Sequence, residues 1–324
     1  ITTLVGIGFL STLIAFMTAS TTGIIHQFRR GSGPIPEKRH SLILGFDDRV
    51  FQIIKELNFS NLTKRALPVV VFSEVDKQSM DENLSHWFNA PSKVRLSTAR
   101  GELTNIHHLK RVNVEHARSV IILARCTQTA SLKEKQASDI RVLQTIKAVY
   151  AAQDPSSRFP IVAEIFDKTR RELIVSLSPN IVSIDSNYLL ASMLVQSALY
   201  PGLERVYSEL LSFEMSEFYF YEVPPHKQFG ELAFHFKDGI PIGIKDAQGQ
   251  IEFIPAQERM TQEGEEVLLI ARDDDYINFD ETPLFHRIQP MRPPISYEVK
   301  PQRVLMIGWH YLAPSIFKAC QLRL

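Results

Sequence analysis

Cysteine is almost missing from this chain: Cys126 and Cys320 are the only two among 324 residues. That excludes a disulfide scaffold or a cysteine-rich zinc module and suits a reducing compartment. Neither sign of charge is in excess, with Lys+Arg and Asp+Glu both at 36, so the basic field that a general nucleic-acid binder needs is lacking. Catalytic signatures are missing too: no G-x-S-x-G, H-E-x-x-H, phosphate-binding loop or C-x-x-C occurs, and nothing asks for an enzyme. What is present, 44% hydrophobic and 22% charged residues, builds an ordinary folded core, with room for roughly two domains.

The first 28 residues carry no Asp, Glu, Lys or Arg. Helical residues Ile1–Ile25 would reach about 38 Å, enough for one tilted crossing of a hydrocarbon layer about 30 Å thick. The basic n-region and short apolar core of a signal peptide are absent. Arg29, Arg30, Lys38 and Arg39 follow, opposed only by Glu37, which predicts a cytoplasmic location from about residue 29 onward. The segment also holds Gly6, Gly8, Gly23 and eight Ser or Thr residues, a composition for close helix packing or a pore lining. The missing initiator Met and the end at Leu324, inside a helical pattern, are read as a fragment at both ends.

A Gly-Ser-Gly-Pro-Ile-Pro stretch at 31–36 predicts a short linker, so 1–28 is taken as the membrane helix and 29–40 as the linker. Apolar strands are then expected at 41–45, 68–72, 93–97, 119–123 and 161–166, with helical spacing at 50–57, 79–87, 106–110 and 138–152. Unbroken β-branched strands joined by helices predict an α/β, doubly wound Rossmann-like domain over 41–186. Residues 187–272 read as a helical crossover and a small α+β lobe, with strands near 218–223, 240–245, 250–255 and 265–271. The proline-rich 273–302 reads as a linker. Residues 303–320 repeat the opening strand and helix: placing Gly308 on Gly45 brings Leu305 onto Leu42 and Ile316 onto Ile53.

In a dinucleotide-binding turn the second glycine admits the pyrophosphate and the third allows helix packing. Here Gly45 is followed at those places by Asp47 and Val50. Gly45 and Glu74 are thus the remnants of a degraded nucleotide site, and NAD binding is not expected. Asp47, Asp48, Glu74 and Asp76 instead fall at the carboxyl ends of neighbouring strands, a set of hard oxygens suited to Ca²⁺; helix caps or solvated loop acids are the plainer reading. His107, His108 and His116 lack a third ligand at metal spacing, and Cys126 lacks the neighbours of an activated thiolate.

The segment HSLILGFDD at 40–48, VVVFSEVDK at 69–77 and MIGWHYLAP at 306–314, in this order of parts, resemble ion channels of the Castor and Pollux type. Those carry tandem RCK (regulator of K⁺ conductance) domains. The resemblance covers nearly the whole chain and implies the inner helix and gating region of a tetrameric cation channel, controlled by a cytosolic ligand such as Ca²⁺. Its partners would be the lipid bilayer, permeant cations and other copies of the same subunit, with no nucleic acid. Two other classes stay open: an RCK-type regulatory subunit of a separate potassium transport system, and a membrane-anchored NAD-dependent oxidoreductase.

Overall fold

The computed structural model describes residues 11–18, 30–60, 67–88, 93–154, 159–178, 180–284 and 303–321. Residues 11–18 are helical; the rest of the expected crossing at 1–28 lies outside the described residues. Among the described residues no helix is long and apolar enough to cross a membrane. The chain divides into two units, 1–192 with 310–317 and 193–309 with 318–324.

The first unit is built on six parallel strands: β1 (Ser41–Leu44), β2 (Pro68–Ser73), β3 (Arg95–Arg100), β4 (Ser119–Ile122), β5 (Ile161–Glu164) and β6 (Ile181–Ile184), in the order β3-β2-β1-β4-β5-β6. The register runs Leu42↔Val70 and Leu44↔Phe72 on one side of β1, and Leu42↔Val120 on the other. Alternation along the strands sends side chains to both faces. Ile43, Val69 and Val71 meet Val50 and Ile54 of helix α1 (Arg49–Phe59) and Met80 and Leu84 of α2 (Lys77–Trp87). Leu42, Leu44, Val70 and Phe72 meet Leu109 of α3 (Ile106–Arg111) and Val142, Ile146 and Val149 of α4 (Leu132–Ala152) on the opposite face. Burying each such side chain contributes about 1.5–3 kcal/mol, which is why both sheet faces need helices. The doubly wound reading of this region therefore holds.

Several elements were not legible at their true bounds. Helix α5 (Lys168–Leu177) and strand β6 went unread: β6 is only four residues and leaves Val182 and Ile184 exposed, so its apolar signal is weak. Helix α4 starts six residues before the expected 138, because Ser131 and Glu134 form a reciprocal capping box.

The expected linker at 29–40 is, over residues 31–40, a strap fixed along β3. It runs from the carboxyl end of that strand to its amino end. The Gly31 carbonyl accepts from Arg100 N at 2.9 Å, Ile35 N donates to the Arg111 carbonyl at 2.8 Å, and the Glu37 carboxylate pairs with Arg95 at 3.6 Å. Arg39 N then donates to the His116 carbonyl at 2.7 Å. Gly31 has φ +71°, and a Cβ there would sit 2.9 Å from both Arg100 N and Lys77 Cβ, so the close approach needs glycine.

The second unit holds an antiparallel sheet, β7 (Glu217–Glu222), β8 (Gly239–Lys245), β9 (Ile251–Phe253) and β10 (Glu266–Ala271), in the order β7-β10-β8-β9. Helices α6 (Ser186–Leu199) and α7 (Leu203–Leu210) precede it, and α8 (Phe229–Leu232) lies between β7 and β8. Val267 and Leu269 pack against Leu232, Phe236 and Ile277. Within the stretch expected as a linker at 273–302, Ile277 is buried, Phe279 bridges to Phe236, and Leu284 N donates to the Phe234 carbonyl at 2.7 Å. The expected repeat is half formed. Helix α9 (Ala313–Gln321) is present, but 303–309 pairs with no strand among the described residues, and Leu305 and Ile307 are exposed. A strand needs a neighbouring strand for its backbone bonds.

Candidate functional site

The strand order reverses beside β1, where β2 and β4 flank it and leave a crevice at the carboxyl edge of the sheet. Gly45 ends β1 at φ +121°, and a Cβ on it would stand 3.1 Å from that of Leu123. The chain can therefore turn into α1 only through glycine here. The crevice encloses about 460 Å³ and is lined by, among others, Asp47, Arg49, Glu74, Arg125 and Cys126.

Its centre is the Arg49 guanidinium. Nε donates to Asp47 Oδ1 and Oδ2 at 3.0 and 3.1 Å, Nη2 to the Ala124 carbonyl at 2.8 Å, and Nη1 to Glu164. Burial alone would lower the Arg49 pKa, but the hydrogen bonds and charges of Asp47 and Glu164 outweigh it and raise it above the usual value. Glu164 also accepts from Ala124 N at 3.2 Å and from Gln128 Nε2 and Ser186 Oγ at 2.8 Å each. One carboxylate thus joins the ends of β4 and β5 to the starts of α1 and α6. Asp47 caps α1 at the same time, its Oδ1 accepting from Arg49 N at 2.9 Å and its carbonyl from Val50 N at 3.0 Å.

The remaining acids go to separate partners. Glu74 pairs with Arg125 across the crevice mouth, Asp76 caps α2 and pairs with Arg100 at 3.0 Å, and Asp48 is exposed. The four acids expected to offer oxygens to Ca²⁺, Asp47, Asp48, Glu74 and Asp76, are thus spread over different partners. Three of them are neutralised by three different arginines, and no group of three His, Cys, Asp or Glu arranged to hold a metal exists among the described residues. Cys126 lies in the crevice with its thiol pKa raised by burial, the opposite of an activated thiolate. His107 and His116 lie on the exposed side of their turns, and His108 Nδ1 accepts from Glu102 N at 3.1 Å.

Residues 37–191 match the family described as the calcium-activated potassium channel slowpoke-like RCK domain, and residues 187–285 match that described as Castor and Pollux, part of voltage-gated ion channel. The probable ion channel POLLUX of Oryza sativa subsp. japonica is 28% identical over 306 residues, 92% of this chain and 31% of that protein. Ion channel CASTOR of Lotus japonicus is 28% identical over 291 residues, 87% of this chain and 33% of that protein. Over most of its length the chain is similar to ion channels of the Castor and Pollux type. It spans about a third of the length of the curated relatives it matches, which are described as ion channels rather than enzymes. Among solved structures, the human SLO3 gating ring is similar at a TM-score of 0.49 and 14% identity, covering 73% of this chain and 45% of that one.

The groups that a dinucleotide would use at the crevice already have partners within the protein. A pyrophosphate would need the first amides of α1, and the Asp47 carboxylate already takes Arg49 N. Asp47, Asp48 and Glu74 line the crevice against Arg49 and Arg125, a small excess of negative charge. Gly45 keeps the role of turn residue, whereas Glu74 is held by Arg125 rather than presented to a ribose. Arg49 and Glu164, the residues that organise the site, were missed in the sequence. The available signal was one acid, Glu164, at the carboxyl end of an otherwise apolar strand.

Proposed function

We propose that this chain is the inner helix and cytosolic regulatory region of a cation channel that works as a homotetramer, with 1–28 crossing the bilayer and the chain from about 29 onward in the cytoplasm. The observation that carries the reading is the strap at 31–40. An apolar, charge-free segment is joined to the RCK domain by backbone fixed along β3 rather than by a slack tether. A shift of the domain is therefore passed to residue 30 as displacement.

The crevice is the ligand-responsive element. Its ion pairs bind β1, β4, β5 and α1 together, and its excess of carboxylates favours a cationic ligand over a nucleotide. Such a ligand competes with Arg49 or Arg125 for the same oxygens. Moving a gate from 1:99 to 99:1 takes about 5.5 kcal/mol of differential affinity, or about 1.4 kcal/mol for each of four subunits. That is within reach of one rearranged ion pair.

The test is conductance of planar bilayers holding the natural full-length protein, recorded as Ca²⁺, NAD⁺, NADH and ATP are added to one side, with heat of binding measured on the same preparation. Cation-dependent opening that is altered in Arg125→Gln supports the reading. Binding without any conductance would move the chain to the regulatory-subunit class, and tight NADH binding would overturn the assignment of the crevice.

A further inference from the structure

The strap brings Ser32 against a cation that lacks a counterion. Arg111, the last residue of α3, donates from Nη1 to the Ser32 carbonyl at 2.9 Å and from Nη2 to the Arg100 carbonyl at 3.1 Å. Its Nε is buried without a hydrogen-bond partner among the described residues. The cations beside it have carboxylates: Arg100 has Asp76 at 3.0 Å and Lys77 has Asp81 at 2.8 Å. Among the ion pairs of the described residues none includes Arg111, so this guanidinium rests on two neutral carbonyls. A charged, partly buried donor of this kind gains most from an anion.

The sequence around the serine supplies the other half of the argument. Arg29-Arg30-Gly31-Ser32 places two cations two and three positions before a hydroxyl, the arrangement that a serine kinase with an acidic substrate cleft selects by charge complementarity. Ser32 is half-buried in a segment with no strand or helix of its own, and a kinase reaches it when the strap opens locally.

We propose that Ser32 is a phosphorylation site and that Arg111 is the residue that receives its phosphate. The Ser32 hydroxyl oxygen attacks the γ-phosphorus of ATP, the bond from that phosphorus to the ADP oxygen breaks, ADP leaves, and the hydroxyl proton passes to the kinase base. The product carries a charge of about −1.5 to −2 and three acceptor oxygens. These give Arg111 the anion it lacks, and the strap is held more tightly against α3 and β3. The site works independently of the identity of any crevice ligand.

The experiment treats the full chain and a synthetic peptide of residues 26–40 with a basophilic serine kinase and ATP, locates phosphate by mass spectrometry, and titrates the phosphoserine by ³¹P resonance. Modification of the folded chain at Ser32, absent in Ser32→Ala, is expected. The second phosphate ionisation should lie below its ordinary value near about 6 and return to it in urea or in Arg111→Gln. Amide exchange over 31–37 should slow by about five-fold or more on phosphorylation. Modification of the peptide but not of the folded chain, or of neither, overturns the site. A phosphate that titrates as it does in urea overturns the role of Arg111, and because that comparison uses the native sequence it stands even if Arg111→Gln fails to fold.

Discussion

Replacing Arg49 with methionine removes the guanidinium and keeps most of its aliphatic stem. Three groups lose a partner. Asp47 is 37% exposed and still accepts from Arg49 N, so water makes up much of its loss, which is worth up to about 1 kcal/mol. Glu164 is only 11% exposed; it keeps Ala124 N, Gln128 and Ser186 but loses its one cation, at about 1.5–3 kcal/mol. The Ala124 carbonyl turns to solvent in the crevice for a smaller loss. Arg49→Met should therefore destabilise the first unit by about 3 kcal/mol, the lower end of what breaking a buried pair costs. With a urea slope of about 2 kcal/mol/M, the unfolding midpoint falls by about 1.5 M. Trp87 stacks on Phe51 of α1 at 5.0 Å and reports the transition by its fluorescence; a Trp309→Phe background silences the other indole. Adding Glu164→Gln should restore at least about 1 kcal/mol, because the stranded charge is then gone. A midpoint shift below about 0.3 M, or no recovery in the double variant, would refute the idea that Arg49 holds the crevice shut.

Gly45→Ala should lower stability by about 2 kcal/mol or more, seen as a fall in melting temperature, since it combines φ +121° with a Cβ pressed on Leu123. His40 gives a pH dependence. It is fully buried, neither ring nitrogen has a hydrogen-bond partner among the described residues, and burial lowers its pKa below 6.5 against the opposing charge of Glu37, with His116 adding to the lowering. The unfolded chain then binds the proton more readily, so this contribution to stability is complete above about pH 6.5 and declines as pH falls below that value. Melting curves at pH 7.5 and 5.5 should differ by less in His40→Leu than in the natural sequence; equal differences would remove His40 from the acid response.

Much of the first unit was legible because its strands are apolar on both faces. SLIL, PVVVF and SVII need no partner information to read as the centre of a covered parallel sheet, and all three sit where the periodicity places them. The peripheral β6 was not legible, since a strand with exposed residues carries no such run. Gly45 was legible as the end of β1, whereas the partners of the acids around it were not. Sequence spacing put four carboxylates on one edge, but it carried no information on Arg100 and Arg125 reaching Asp76 and Glu74 from other elements, or on Arg49 turning back onto Asp47.

Local composition thus determined the layers and the turn at Gly45, because each depends on side-chain size or backbone freedom within a few consecutive residues. Residue pairs far apart in the chain determined the rest. Arg49 meets Glu164, Arg125 meets Glu74, and the strap at 31–40 meets β3 and α3 only after the sheet has set its strand order and register. Ionic and hydrogen-bond partners are selected by distance in space, so Asp47, Glu74 and Asp76, neighbours on one sheet edge, each meet a different arginine.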